Sequence, residues 1–248
     1  MAAGRTRVKR RHGILYVPIV FILIAAALVF GLSVFFRVSE ISVEGNSIYT
    51  DEEIIEASGL EEGDNLFFIN RISAVSRIFS RLPYVNEATV ERTFPNKIQI
   101  TVNEGRAIAY VVYENSYYAL DQSGKVLSEI DAEGTLELIR VKGLIPEEPE
   151  NGEELKTDDS QSAALSYLND LLYQIGYNEM EKDITYIDVE DVSNPSFDYL
   201  GRFTVKMGSH KDLEYKFLLL LSAIDEMEDG DRGTLDLSVD NRVHLTYS

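Results

Sequence analysis

The chain has 248 residues with 42 acidic and 23 basic side chains, a net charge of −19, three histidines and no cysteine. Zero cysteine excludes disulfides, thiolate metal sites and cysteine nucleophiles. Without an HxxxH or other paired-histidine spacing, the sequence also offers no zinc motif.

The first element is the run Ile14–Phe36, 23 residues without a charge. A bilayer core of ~30 Å takes ~20 apolar residues in a helix, so the run predicts a transmembrane helix. A cleaved signal peptide has a shorter apolar core and a small-residue cleavage site. Here the small cluster Ala25–Ala27 lies inside the run. Residues 1–13 form a basic tail with Arg5, Arg7, Lys9, Arg10 and Arg11 and no acid. Basic flanks stay on the cytoplasmic side, so the N-terminus is expected inside and residues from Arg37 onward outside. Residues 37–248 carry 18 basic and 42 acidic residues, a net −24. Such a surface repels nucleic acid and anionic surfaces.

Beyond the membrane, Val38, Ile41 and Val43 alternate with polar residues and predict a strand that ends at Gly45-Asn46. Thr50 and Glu53 fit a capping box, and Gly59 closes that short helix. Asn70 caps a second helix whose expected buried face is Ile72, Val75, Phe79 and Leu82, ended by Pro83. Val85–Arg92 and Lys97–Val102 read as strands around a turn at Phe94-Pro95-Asn96. Strand, helix, helix, strand, strand predicts a small three-stranded sheet with two helices on one face.

From Arg106 the chain becomes β-rich. Ala107–Tyr113, Ser116–Leu120, Val126–Ile130 and Leu136–Val141 read as strands, with a turn at Asp121–Gly124. Gly143–Ser162 is an acidic surface loop. A helix over Ser162–Ile175 presents Leu165, Leu168, Leu172 and Ile175. Ile184–Val192 and Phe203–Met207 are strands. The segment from Ser209 to Asp212 caps a helix with Leu213, Phe217, Leu220 and Ile224 on its buried stripe, widened by Leu218 and Leu221. Thr234–Val239, a turn at Asp240-Asn241 and Arg242–Tyr247 form a terminal hairpin.

No GxGxxG, GxxxxGK[ST], GxSxG or HExxH motif is present. The acidic clusters Asp188, Glu190, Asp191 and Asp225, Glu226, Glu228, Asp229, Asp231 leave open a second reading, a membrane-tethered cell-envelope enzyme or ligand sensor. That reading requires a deep pocket with converging carboxylates. The position of Arg242–Tyr247 makes it a candidate edge strand, open to strand addition by a partner. The opposing reading is an interior strand, or an edge blunted by Arg242 and His244.

Three stretches resemble one family. Val38–Asn46 (VSEISVEGN) is similar to the first strand and Gly-Asn turn of a POTRA (polypeptide-transport-associated) domain. Leu82–Val102 resembles that domain's closing hairpin, including its Arg-x-x-Pro-Asn turn at Arg92–Asn96. Tyr118–Val126 (YALDQSGKV) resembles a turn early in the second domain of the bacterial FtsQ/DivIB cell-division proteins. The final helix followed by Gly233-Thr-Leu-Asp-Leu237 and a last strand fits the same pattern. The family's Glu-Arg-x-Pro is replaced here by Glu104-Gly105-Arg106-Ala107.

The resemblance implies an α+β protein: a 1–13 tail, a 14–36 transmembrane helix, a 37–104 POTRA domain and a 105–248 β-rich domain with two helices. It implies no enzyme activity and no cofactor. It implies a scaffold in the cell membrane at the division septum that recruits FtsB/DivIC-like and FtsL-like single-span partners and helps regulate septal peptidoglycan synthesis. Alignment on Leu235-Asp-Leu237 carries the partner-binding surface onto Ser238, Val239, Asn241 and Tyr247. Val243 and Leu245 join it from strand alternation.

Overall fold

The computed structural model describes residues 16–228, 230–239 and 242–247. The first element is α1, Tyr16–Phe35, 20 residues with an exposed apolar surface throughout. At 1.5 Å per residue it is ~30 Å long, the thickness of a bilayer's hydrocarbon core. Among the described residues it is the only helix long and apolar enough to cross a membrane. The remaining elements fall in two compact units. One holds residues up to Ser76 together with Thr89–Thr101, the other Arg77–Ala88 together with Val102–Ser248.

The first three-stranded sheet has the order β1-β3-β2, from β1 (Glu40–Glu44), β2 (Val85–Thr93) and β3 (Lys97–Glu104). β1 runs parallel to β3, with Ile41 opposite Ile98 and Val43 opposite Ile100. Helix α2 (Asp51–Ser58) forms where the capping signal lies: Thr50 N donates to Glu53 Oε2 at 2.8 Å and Glu53 N to Thr50 Oγ1 at 3.3 Å. Gly59 ends it in the left-handed region that lacks a Cβ penalty. Asn70 caps α3 (Arg71–Arg81) through Ser73 N. The buried face of α3 differs from expectation. Ala74, Ile78 and Leu82 are buried, whereas Ile72 and Phe79 are exposed. Both sets fit a helical period, and periodicity alone does not distinguish a small alanine at the seam from a larger neighbour.

Arg92 has a specific structural task. Its Nη2 donates to Ile69 O at 2.7 Å and Phe67 O at 3.4 Å, so the end of β2 holds the loop between α2 and α3. Charge-assisted bonds of this kind are stronger than neutral ones.

In the second unit, nine strands among the described residues form one sheet, ordered β12-β11-β10-β9-β8-β7-β4-β5-β6. The strands are β4 (Ala109–Tyr113), β5 (Ser116–Leu120), β6 (Val126–Ile130), β7 (Ile139–Lys142), β8 (Tyr186–Asp188), β9 (Ser196–Tyr199), β10 (Phe203–Lys206), β11 (Gly233–Asp236) and β12 (His244–Tyr247). Among the described residues three neighbouring pairs are parallel: β4–β7, which β5 and β6 separate in sequence, β7–β8 and β10–β11. Parallel neighbours need a crossover connection, and α4 (Ser162–Tyr177) and α5 (Leu213–Asp225) lie in the β7–β8 and β10–β11 connections. Both helices bury their apolar residues in one core, including Tyr167, Leu168, Leu171, Leu172, Phe217 and Leu220. Within the same unit Lys125 Nζ reaches Val85 O at 3.1 Å and Asn86 Oδ1 at 2.6 Å, which ties the start of β2 to this body.

Several expected boundaries move. The strand expected over Ile184–Val192 is reduced to β8, because Asp188 and Asp191 turn back to accept from Glu190 N and Ser193 N. Side-chain acceptors of this kind compete with a strand ladder. β9 has no counterpart in the sequence reading. The loop Gly143–Ser162 includes a 3-10 turn at Asp159–Gln161. The capping segment before α5 makes no side-chain cap bond, and Asp212 sits there with positive φ. Leu218, expected to widen the buried stripe, is exposed, and Lys216 takes a buried place instead.

Lys216 sets up the region around the end of β11. Its Nζ donates to Met207 O at 2.7 Å and Ser209 O at 2.6 Å. Tyr167 Oη donates to Gly208 O at 3.2 Å, and Asn194 Oδ1 accepts from Gly208 N at 3.0 Å. Three elements therefore pin the 207–209 loop. Burial lowers the Lys216 pKa, with Asp212 opposing. Lys216→Met strands two carbonyls and is expected to cost about 1–3 kcal/mol. Thermal unfolding of the full chain in detergent should show a melting temperature several degrees lower, at about 2–4 °C per kcal/mol for this size.

Candidate partner-binding edge

Among the described residues β12 has a neighbour on one side only. It pairs antiparallel with β11: Gly233 opposite Tyr247, Thr234 opposite Thr246, Leu235 opposite Leu245 and Asp236 opposite His244. A strand with one neighbour presents its remaining backbone N–H and C=O groups outward. Of the readings of Arg242–Tyr247, this position sets aside the interior strand: among the described residues β12 is an edge, with His244 in it and Arg242 just before it.

The local sequence explains why the hairpin closes here. A Cβ at Gly233 would collide with Thr246 O, so only glycine permits this approach of β12. Leu235 and Leu237 are buried in the sheet's core. Leu237 N donates to Lys206 O at 2.8 Å, carrying the β10 contact one residue past β11. Ser238 then turns away: its N donates to Asp236 Oδ1 at 2.8 Å, and its Cα lies so close to Gly208 that no side chain fits there. The pinned 207–209 loop is therefore the floor under this turn.

The expected site residues divide by face. Val239 and Tyr247 are exposed, 50% and 67%. Ser238 is exposed as well. Val243 and Leu245 are half-buried and pack on the core. Their side chains face inward, leaving only their backbone for a partner. Asn241 and the Asp240-Asn241 turn lie outside the described residues. Sequence reading missed the supports: Lys216, Tyr167, Asn194 and Gly208. The two glycines at 208 and 233 were the available signal, since each marks a close backbone approach.

Described members of the two acidic clusters make local turn contacts, among them Asp231, whose Oδ2 accepts from Glu228 N at 3.0 Å. Asp191 and Asp188 serve as turn acceptors, and Ser193 bonds hold Asp191 below the usual carboxylate range. Among the described residues no group of three or more His, Asp or Glu is placed to hold a metal ion. Asp229 of the second acidic cluster lies outside the described residues.

The edge carries one titratable lock. Partial burial pushes the Asp236 carboxyl up, but hydrogen bonds from Ser238 and the charges of Lys206 and His244 outweigh it, so the group sits below its ordinary value. A depressed carboxylate contributes stability that is complete above the unfolded pKa, ~3.9, and lost as pH falls through the folded value. Acidification below about pH 4 should therefore destabilise the native chain more than Asp236→Asn. Melting temperatures of both proteins along an acid series check this; parallel curves would remove the lock.

Comparison with known proteins converges on the same architecture. The family described as "POTRA domain, FtsQ-type" matches residues 36–104. The cell division protein DivIB of Clostridium botulinum (strain Hall) is 28% identical over 234 residues, 93% of this chain and 90% of that protein. DivIB of Clostridium tetani is 26% identical over 208 residues, 82% of this chain and 77% of that protein. DivIB of Bacillus subtilis is 34% identical over 91 residues, 37% of this chain and 35% of that protein. With an apolar N-terminal helix, a match to the FtsQ-type POTRA domain and a β-rich region containing helices, the chain is similar over most of its length to the DivIB cell-division proteins of bacteria.

Proposed function

We propose that the protein is a non-enzymatic scaffold of the division machinery that recruits FtsB/DivIC-like and FtsL-like single-span partners by strand addition to β12. In this reading the basic tail is cytoplasmic and residues after α1 face outward at the septum. The functional division runs between a 37–104 POTRA domain and a 105–248 partner-binding domain, and partner capture helps regulate septal peptidoglycan synthesis. The supporting observation is the single-neighbour position of β12. Because Val243 and Leu245 face the core, recognition relies on main-chain hydrogen bonds, with Val239 and Tyr247 as accessible side chains beside them. Strand addition gains affinity from the backbone and specificity from alternate side chains.

Proline removes a backbone N–H. Val243→Pro and Leu245→Pro, made separately in the full chain and checked for folding by circular dichroism, test the site. At least one folded variant should lose about tenfold or more in affinity for a DivIC/FtsB-like partner, ~1.4 kcal/mol. Unchanged affinity in both folded variants would remove β12 as the docking strand. Tyr247→Ala should weaken the same complex without changing the melting temperature.

A further inference from the structure

The end of α1 is fastened to two loops of its own unit. Leu66 N donates to Phe36 O, Val38 N to Asp64 O and Gly63 N to Val38 O, each at 2.8 Å. Arg37 bridges Asn65. Ser39 N donates to Asn96 O at 2.9 Å, which brings the β2–β3 turn to the same place. Each loop carries phenylalanines beside these bonds. The Phe36 ring packs edge-on against Phe35 at 5.2 Å, Phe67 at 4.8 Å and Phe94 at 6.0 Å, and Phe67 and Phe94 are 5.9 Å apart. Phe68 follows in a turn closed by its N–H to Asn65 O.

These rings do not form a core. Phe68 is 86% exposed, Phe94 60% and Phe67 47%. Exposed aromatic clusters of this kind mark a contact surface. Their position says which one. α1 spans ~30 Å and ends at Phe35, so the boundary of a ~30 Å hydrocarbon core falls at the cluster. The rings are continuous with the apolar surface of α1, and Phe is among the residues that bury into the headgroup and acyl boundary.

We propose that Phe67, Phe68 and Phe94 extend Phe35 and Phe36 into an aromatic foot that inserts into the lipid interface on the domain's side of the membrane. The unit then stands on two loops as well as its helix, which limits its pivoting about residues 36–39. The proposal rests on reading α1 as a span and does not depend on the partner-binding role of β12.

The chain contains no tryptophan, so one introduced indole reports its own surroundings. Phe68→Trp and Phe94→Trp are made singly in the full chain and reconstituted into phosphatidylethanolamine/phosphatidylglycerol vesicles, with and without lipids brominated high on the acyl chain. Phe30→Trp, within α1, and Leu136→Trp, exposed in the second unit, are the references. The expected result is blue-shifted emission at positions 68 and 94, quenched by brominated lipid to an extent comparable with position 30, while position 136 stays unquenched. Water-like, unquenched emission at 68 and 94 with position 30 quenched would overturn the foot and leave its rings to a protein partner. Loss of quenching at position 30 as well would overturn the span reading and the foot with it.

Discussion

A backbone hydrogen-bonding group at a sheet edge must find water or another chain, and β12, a terminal strand among the described residues, faces that constraint. Edge strands are commonly blunted by charge, proline or bulges. β12 carries only His244 among its own residues, opposite Asp236, and its flank Val239 is apolar and exposed. The strand is four residues long, and short edge strands are one way in which proteins limit unwanted pairing. Everything packed beneath it holds that short ribbon in register.

The hold is hierarchical. Leu235 and Leu237 anchor β11 in the core, and Val243 and Leu245 bring β12 down onto the same core. Gly233 lets the strands approach, and Gly208 lets the turn after β11 rest on the 207–209 loop. That loop is tied to α5 by Lys216, to α4 by Tyr167 and to the β8–β9 connection by Asn194. The same two helices make the parallel crossovers that place β11 near the sheet's end. Helix packing, loop position and edge geometry are thus coupled, while the first unit's loops fasten to α1 through their own backbone bonds.

Much of this was legible in the sequence because the signals were local. Thr50 with Glu53, Asn70, the Asp121 turn and the alternation in Lys97–Val102 each specify structure through neighbours a few residues away, and each element forms. The terminal hairpin was visible for the same reason. What failed was long-range. The α3 stripe was ambiguous because two apolar sets share one period, and burial selected Ala74 and Ile78 over Ile72 and Phe79. Lys216 reads as a solvated helix residue until two carbonyls from another segment converge on it. β9 is four residues long and includes Asp198, whose carboxylate accepts from Thr185 N and Tyr186 N, so its polarity concealed a strand. The association of Phe67 with Phe94, from loops far apart in sequence, likewise required the fold.

The central claim is that a partner adds its backbone to β12. Hydrogen–deuterium exchange of the full chain, with and without a DivIC/FtsB-like partner, tests it most directly, because slowed exchange reports new protection of individual amides. The account predicts that the partner slows exchange in residues 243–247 while the β1-β3-β2 sheet is unchanged. Protection elsewhere, with β12 exchanging as in the free chain, would contradict it.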